Sequence, residues 1–406
     1  MSQLPPSPPN LWAQLAQRLH AQQQVGLARE IVRSQRVSPT TLERRGKRLV
    51  HFGSNDYLSL SSHPQIAEAA RQATLQSVGS GSSPVVAGAT PDYLALVAAL
   101  AAWKQSDAAM VFSSGYACNL GTLTALAGRE DILFSDALNH ACLIDGCRLS
   151  RGRVVVYPHN DMQALESLLA EHRSNHRNAF IVTDTVFSMD GDVADVETID
   201  RLCERYSATA LADEAHAGGV LGPSGRGVLA QHDWFAPGQS GRLRWVATGT
   251  LSKALGTHGG FVTGPAILEQ WLIHHARSWI YSTAMPASVC AAATTAVHLA
   301  ATMDAEREHL ASMSRSLRQR LAELGLTTRV QDITPIVPVT LGDNHRVVEI
   351  SQRLLECGLY VPAIRPPTVP RDAAMLRISL NAAHQPEEID RLLSALRDAI
   401  RHSPTR

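Results

Sequence analysis

Ala208-Thr-Ala-Leu-Ala-Asp213-Glu-Ala-His216 and Trp245-Val-Ala-Thr248-Gly-Thr250-Leu-Ser252-Lys253 repeat one design: a short apolar run that stops on polar or small residues. The same design recurs in both directions along the chain, at Ala109–Phe112, Ile132–Phe134, Val154–Tyr157, Phe180–Val182 and Gly260–Val262. Helical periods such as Met162–His172 and Val196–Tyr206 lie between most of these runs. Buried strands of three to five residues alternating with helices predict an α/β fold with a largely parallel, doubly wound sheet. Ligands of such sheets sit at the carboxyl ends of the strands. Ser113, Asp136, His159, Thr185, Asp213 and Thr248 all follow a run at that end.

Lys253 is one of only three lysines, with Lys47 and Lys104. On a loop of Gly, Ser and Thr, an amine kept partly unprotonated can form a Schiff base with an aldehyde. A carboxylate upstream, Asp213, can hold a pyridinium nitrogen positive, the charge that pyridoxal phosphate uses as its electron sink. Most loop lysines are solvated charges; the Asp-x-x-His that precedes this one favours the chemical reading.

Composition narrows the classes. The 406 residues exceed one ordinary domain, and 45% hydrophobic residues supply a sizeable core. With 37 basic and 37 acidic residues the formal charge is zero, which gives no case for nucleic acid or an anionic membrane as partner. The six cysteines are scattered without CxxC pairs or zinc spacing, so reduced thiols and no metal are expected. The Pro-rich start has no apolar core of a signal peptide, and no run reaches membrane-spanning length, which predicts a cytoplasmic protein.

Three regions are expected: an N-terminal segment and helix (1–60), a large cofactor domain (61–283) and a smaller α+β domain (284–406). The first holds an amphipathic helix from Leu11 to Arg33 and a hairpin-like stretch at Lys47–Phe52. The last is expected to run as an Ala/Thr-rich helix (284–303), a charged helix (304–324), strands near 326–341, a helix near 345–357, a Pro-rich segment, a strand near 375–380 and a final helix (386–401). Ser113-Ser-Gly115-Tyr116 puts small residues between strand and helix, where backbone amides can hold a phosphate. Gly79-Ser-Gly81 lacks a third glycine and a preceding strand, so a dinucleotide loop is rejected; GxxxxGK[ST] and GxSxG are absent. His140 follows a strand end and could stack on a planar cofactor and handle a proton. His159, His274 and His275 read as structural or solvated.

Taken together, Ser54-Asn55-Asp56-Tyr57-Leu58, Ser113-Ser-Gly-Tyr116, Asn139-His140-Ala141, Val186-Phe-Ser-Met-Asp-Gly-Asp192, Asp213-Glu-Ala-His216, Gly249-Thr-Leu-Ser-Lys253 and Tyr281-Ser-Thr283 resemble the α-oxoamine synthase family from about residue 26 to about residue 400. The resemblance implies pyridoxal 5'-phosphate (PLP) fold type I, the aspartate aminotransferase-like architecture, with a smaller C-terminal α+β domain. It implies Lys253 as Schiff-base lysine and base, and Asp213 at the pyridine nitrogen. His216 and Ser188 would bond the phenolic oxygen, and His140 would stack on the ring. Gly115, Tyr116, Thr250 and Ser252 would hold the phosphate, joined by Ser282 and Thr283 of a second subunit, so a homodimer with shared active sites is implied. Arg377, with Asn55 nearby, would bind an amino-acid carboxylate, while Arg29, Arg365 and Thr368 would face an acyl substrate.

Ala363-Ile-Arg-Pro-Pro-Thr-Val-Pro370 is close to the pattern of the biotin-pathway branch. That implies a decarboxylative condensation of L-alanine with pimeloyl-CoA or an acyl carrier protein thioester. Other branches, which use glycine with acetyl-CoA or make 5-aminolevulinate or autoinducers, stay open, as does a non-catalytic scaffold. The chain departs from the family pattern at Ser59, where a glycine is usual, at Ser83 and Pro84, at Tyr93 and Val97, where histidine and glutamate are usual, and at Asp184 and Asp195, where glutamate and proline are usual. In the C-terminal signature, Asp372 and Met375 replace glycine and arginine.

Overall fold

Alternate residues along each central strand enter opposite cores. In the computed structural model, which describes residues 10–24, 27, 30–326, 332–366, 368–370 and 372–402, Ala109, Val111, Ile132, Phe134, Ile181, Ala210, Ala212 and Ala247 join one apolar cluster. Their neighbours Met110, Phe112, Leu133, Phe180, Val182, Leu211 and Val246 join another on the far face. A sheet covered on both faces needs apolar side chains at every position, which is why these strands read as unbroken apolar runs.

Strands β1 (Ser34–Arg36), β2 (Thr41–Arg44) and β3 (Lys47–His51) form an N-terminal ribbon. The central sheet holds β4 (Ala108–Phe112), β5 (Ile132–Asp136), β6 (Arg153–Tyr157), β7 (Ala179–Asp184), β8 (Thr209–Asp213), β9 (Trp245–Thr250) and β10 (Gly260–Gly264), in the order β4-β10-β9-β8-β7-β5-β6. The pairings among β6, β5, β7, β8 and β9 are parallel, while β10 runs antiparallel between β4 and β9. Every strand but β10 therefore points its carboxyl end to the same edge. The expected, mostly parallel sheet is present with this one reversed strand.

The C-terminal region contributes β11 (Ile336–Gly342), β12 (Leu359–Tyr360), β13 (Ala363–Ile364) and β14 (Ala374–Ser379), of which β11, β14 and β13 make an antiparallel sheet. β12 instead pairs with β3 of the N-terminal ribbon. Ser379 N–H donates to Phe52 O and Ala382 N–H to Tyr57 O, at 2.8 Å each. The chain's first strands are thus fastened to its last ones, a long-range pairing that no local pattern announces.

Local differences have local causes. Of the helix expected over Leu11–Arg33, Leu11–Gln24 is present with none of its residues buried; residues 25, 26, 28 and 29 lie outside the described residues, and 30–33 are not helical. The hairpin is longer than expected, β2–β3, because Arg45 and Gly46 both take positive φ (51° and 73°), the geometry of a tight two-residue turn. One strand, β11, stands where several were expected near 326–341, with 327–331 outside the described residues. The Pro-rich segment contains β13.

Two departures from the family pattern have a backbone cost. Ser59 (φ 61°) and Asp372 (φ 64°) sit in the left-handed region, where a glycine carries no Cβ penalty. Ser59 recovers part of this by a hydroxyl bond to Asn381 Oδ1. Asp372→Gly is expected to raise stability by about 1 kcal/mol. Ser59→Gly should yield less, because it also loses that bond. Denaturant midpoints of the two variants check the order.

Candidate active site

The loops at the common strand edge enclose a cavity of about 610 Å³ lined by residues of five sequence motifs and the C-terminal sheet. Among its lining residues, Asn55, His140, Ser188, His216, Lys253, Thr368 and Arg377 are all ones that sequence reasoning singled out. The three lysines differ completely in setting. Lys47 is exposed on the β3 edge, Lys104 is buried in an ion pair with Glu214, and Lys253 presents its amine to the cavity.

Lys253 Nζ lies 2.8 Å from His216 Nε2. His216 Nδ1 lies 2.7 Å from the Tyr57 hydroxyl, which reaches Asn55 Oδ1 at 3.2 Å. One donor order satisfies the whole row: the amine donates to Nε2, Nδ1–H to the phenol oxygen, and the phenol O–H to the Asn55 carbonyl. It requires a neutral imidazole. Burial, with Lys253, Arg377 and His140 nearby, holds His216 well below its ordinary pKa. Burial also lowers the Lys253 amine pKa, against the pull of Asp213 and Asp184. A buried ammonium is disfavoured by desolvation, so more of this amine is free at neutral pH than on a solvated lysine.

Asp213 ends β8 beneath the cavity. Its Oδ2 accepts from Asn119 Nδ2 at 2.7 Å and its Oδ1 from Ala215 N–H at 2.8 Å. The Thr248 hydroxyl donates to Asn119 Oδ1 at 2.6 Å, which turns the amide's N–H groups toward Asp213. His140 caps the helix Ala141–Leu149 and is exposed to the cavity. Its backbone N–H donates to Asp184 at 2.7 Å, and its Nδ1 lies 2.8 Å from Cys142 Sγ. Burial lowers the imidazole's pKa, keeping it neutral.

Arg377, on β14, is held by three acceptors: Ser188 O at 2.6 Å, Ser379 Oγ at 2.6 Å and Asn55 Oδ1 at 3.2 Å. The helix Gly115–Leu126 starts beside Thr250, whose hydroxyl is 2.7 Å from Ser252 Oγ. A Cβ on Gly115 would come within 3.4 Å of Thr250 Cβ, and one on Gly260 would strike the Gly115 nitrogen at 2.5 Å. Glycine at both positions lets β10 and the helix N-terminus close around one small space.

Not every expected residue lines this cavity. Arg29 lies outside the described residues. Ser282 and Thr283, in the segment after the helix Arg277–Ile280, and the side chain of Arg365 are not among the lining groups. Tyr116 is partly exposed and bonds Asp145. Tyr93 and Val97 do not line it either: Tyr93 is buried, donating to Val111 O and accepting from Trp279 Nε1, each at 3.0 Å. Those two departures are packing changes. Sequence reasoning gave no role to Asn119 and Tyr57. Asn119 could have been found one helical turn beyond Gly115, on the same helix face, and Tyr57 within its own motif.

The donor set fits PLP. First-turn amides and two hydroxyls suit a phosphate, a buried carboxylate suits a protonated ring nitrogen, and a poorly solvated amine suits an aldehyde. Among the described residues no His/Cys/Asp/Glu group could hold a metal, and no helix is long and apolar enough to cross a membrane.

The aminotransferase class I and II family profile matches residues 47–396. An 8-amino-7-oxononanoate synthase of Methylobacillus flagellatus is 46% identical over 356 residues, 87% of this chain and 88% of that one. Serine palmitoyltransferase from S. paucimobilis, solved with a bound PLP–myriocin aldimine, superposes with a TM-score of 0.90 at 30% identity over 97% and 99% of the chains. The 8-amino-7-oxononanoate synthase of Francisella tularensis superposes at 0.75 with 25% identity, over 87% and 98%.

Borohydride reduction of the PLP-loaded protein, followed by peptide mass spectrometry, is expected to place the pyridoxyl label on Lys253, and Lys253→Ala to take none while still folding. A label on another residue overturns that position for the amine. With the profile, the identity and the geometry in agreement, the chain belongs to the aminotransferase class I and II family, within it to the PLP-dependent α-oxoamine synthases, and is most like the 8-amino-7-oxononanoate synthases.

Proposed function

We propose that this protein joins L-alanine to a pimeloyl thioester, carried by CoA or an acyl carrier protein, with loss of CO2 and release of the carrier thiol, giving 8-amino-7-oxononanoate for biotin biosynthesis. The observation that carries the reading is one cavity in which the Lys253 amine, two neutral imidazoles and the Arg377 guanidinium converge beside an apolar wall. The level of identity to the synthases that bear this product's name supports the choice of branch.

PLP supplies the electron sink for the pair of electrons left on the amino acid's α-carbon. The chain's residues do the rest. The N-terminal amides at Gly115 and Tyr116, with the Thr250 and Ser252 hydroxyls, would bind its phosphate. Asp213, fixed by Asn119 and Ala215, would keep the ring nitrogen protonated. Arg377 would bind the amino-acid carboxylate, and its three acceptors fix the direction of its free edge. Lys253 Nζ, freed in part by burial, would take the α-proton, with His216 Nε2 ready to accept a hydrogen bond from the amine. His140 would cover the ring from the open side. Leu138, Ile144, Met189 and Ile364 form an apolar surface suited to a methylene chain, with Thr368 on its rim. We infer a cytoplasmic homodimer in which Ser282 and Thr283 reach the second subunit's phosphate site.

The backbone match to serine palmitoyltransferase favours a second reading, a sister enzyme with another acyl chain. The acyl panel separates the two. Pimeloyl-CoA carries a distal carboxylate, and a hydrogen bond to a charged group contributes about 1.5–3 kcal/mol. Turnover of pimeloyl-CoA is expected to exceed that of acetyl-, butyryl- and octanoyl-CoA by roughly tenfold, the ratio that about 1.4 kcal/mol gives. Thr368→Ala should erode this preference more than it slows uncharged chains. Equal rates across the panel, or a preference for acetyl-CoA with glycine, would move the protein to a sister branch.

The cofactor's carboxylate partner gives a second test. Asp213→Asn should retain bound PLP yet lose turnover by orders of magnitude, because a neutral ring is a poor electron sink. Unchanged turnover would show that another group keeps the ring protonated.

A further inference from the structure

Two walls of the cavity come from different strands. Leu138, Asn139, His140 and Ile144 follow β5; Ser188 and Met189 sit on a hairpin that follows β7, closed by the bridge between Val186 and Val193. The loop after β5 is already fastened to the end of β7: Asn139 Nδ2 donates to Val182 O at 2.8 Å, Asp184 N–H donates to Asn139 Oδ1 at 3.0 Å, and His140 N–H donates to Asp184 Oδ2. Beyond Asp184, the hairpin is held toward β5 by His159, just beyond β6. Its Nδ1 lies 3.0 Å from Asp136 Oδ1 and its Nε2 lies 2.7 Å from Asp192 Oδ2. The ring also meets Phe187 edge-on at 4.4 Å between centroids.

Each carboxylate belongs to one wall. Asp136 ends β5 and accepts from Leu138 N–H at 2.8 Å, and from Asn160 N–H at 2.8 Å. Asp192 lies in the hairpin, where its backbone carbonyl accepts from Phe187 N–H. The other oxygen of Asp192, Oδ1, is buried without a hydrogen-bond partner, so the imidazole is its donor among the described residues. The hairpin also matters for the guanidinium, since Ser188 O holds Arg377 Nε.

We propose that His159 is a positioning residue for the condensation: bonded through both ring nitrogens to Asp136 and Asp192, it acts as an imidazolium clamp that sets the gap between the two walls against which the acyl chain lies. A ring with an acceptor on each nitrogen must carry a proton on each, and is then cationic. Burial opposes that charge, but the hydrogen bonds and charges of Asp136 and Asp192 outweigh it and lift the imidazole's pKa to about 10. Other charges face the pair: Tyr157 and Asp184 lie within reach of Asp136's charge, and Asp332, which accepts from Val193 N–H, lies within reach of Arg318. A neutral side chain in place of His159 would leave two facing carboxylates with no counter-charge between them, and the hairpin would move out.

The inference rests on the cavity being the acyl site, so the test separates the two. PLP-loaded His159→Gln and Asp192→Asn are compared with wild type using a thioester that the wild type turns over. His159→Gln should raise KM for the thioester about fivefold or more while kcat stays within about twofold, because Lys253 and Asp213 are untouched. The visible circular dichroism of the bound cofactor should stay as in wild type, because the His140 loop is still held by Val182 and Asp184. The double variant His159→Gln/Asp192→Asn should recover part of the lost KM, a rescue that general damage to the fold would not produce. If His159→Gln does not fold, Asp192→Asn, in which Asp136 still holds the ring, should show the same rise in KM alone. KM values equal to wild type in both single variants, or a loss confined to kcat, overturns the proposal.

If the wild type turns over no acyl thioester, the functional reading fails and melting temperatures judge the clamp by itself. A group whose pKa is raised on folding adds stability that is complete below its unfolded value and vanishes above its folded one. The wild type's lead over His159→Gln should therefore shrink from about pH 6.5 to about pH 10. A gap that does not change over that range removes the clamp.

Discussion

A carboxylate buried at the end of a central strand must be given donors, and most of the site follows from how Asp213 receives them. Asn119 reaches it from the helix that begins at Gly115, and Ala215 N–H from the turn that carries His216. Thr248, on the neighbouring strand β9, fixes the sense of the Asn119 amide. Four consecutive requirements are met by parts that a single parallel sheet already brings to one edge: the strand end, the helix start, the next strand and the loop carrying Lys253. An unpaired buried charge costs far more than any one of these bonds contributes, so each of them is constrained by the others.

Glu214, next to Asp213, shows the same economy on the side away from the cavity. Its carboxylate is paired with Lys104 and accepts from Leu229 N–H at 3.1 Å. A Cβ on Gly227 would fall within 2.2 Å of a Glu214 oxygen, so that loop must bring bare backbone to the pair. Neighbouring acids in one tetrapeptide thus have opposite surroundings: Asp213 is held by donors of the site, and Glu214 pins the loop from behind. Replacing either acid would disturb the turn that sets His216 against Lys253.

Arg377 depends on the other long-range feature. It sits on β14 in the C-terminal sheet, yet its acceptors come from the β7 hairpin and from Asn55 near the N-terminus. The pairing of β3 with β12 and the bond from Ser379 to Phe52 carry both of those chain ends to the cavity. The guanidinium is therefore positioned by three regions at once.

Much was legible from sequence because it is local. Apolar runs that stop on polar residues placed seven strands and their ligand edge, and Asp213, His216 and Lys253 stood out by residue type and by their position at strand ends. The helices Met162–His172 and Val196–Tyr206 followed from period alone. What stayed hidden is non-local. The reversal of β10, the ribbon pairing with β12, Tyr57 behind His216 and Asn119 under Asp213 depend on contacts between residues far apart in the chain. His159 is the sharpest case: as a letter it read as a structural histidine, and only the meeting of Asp136 with Asp192 around it decides its charge. Periodicity records which face of an element is buried, but a pairing between distant elements leaves no period, so the sequence by itself determined the strands and the candidate groups at their ends, while the tertiary structure decided which of those groups meet.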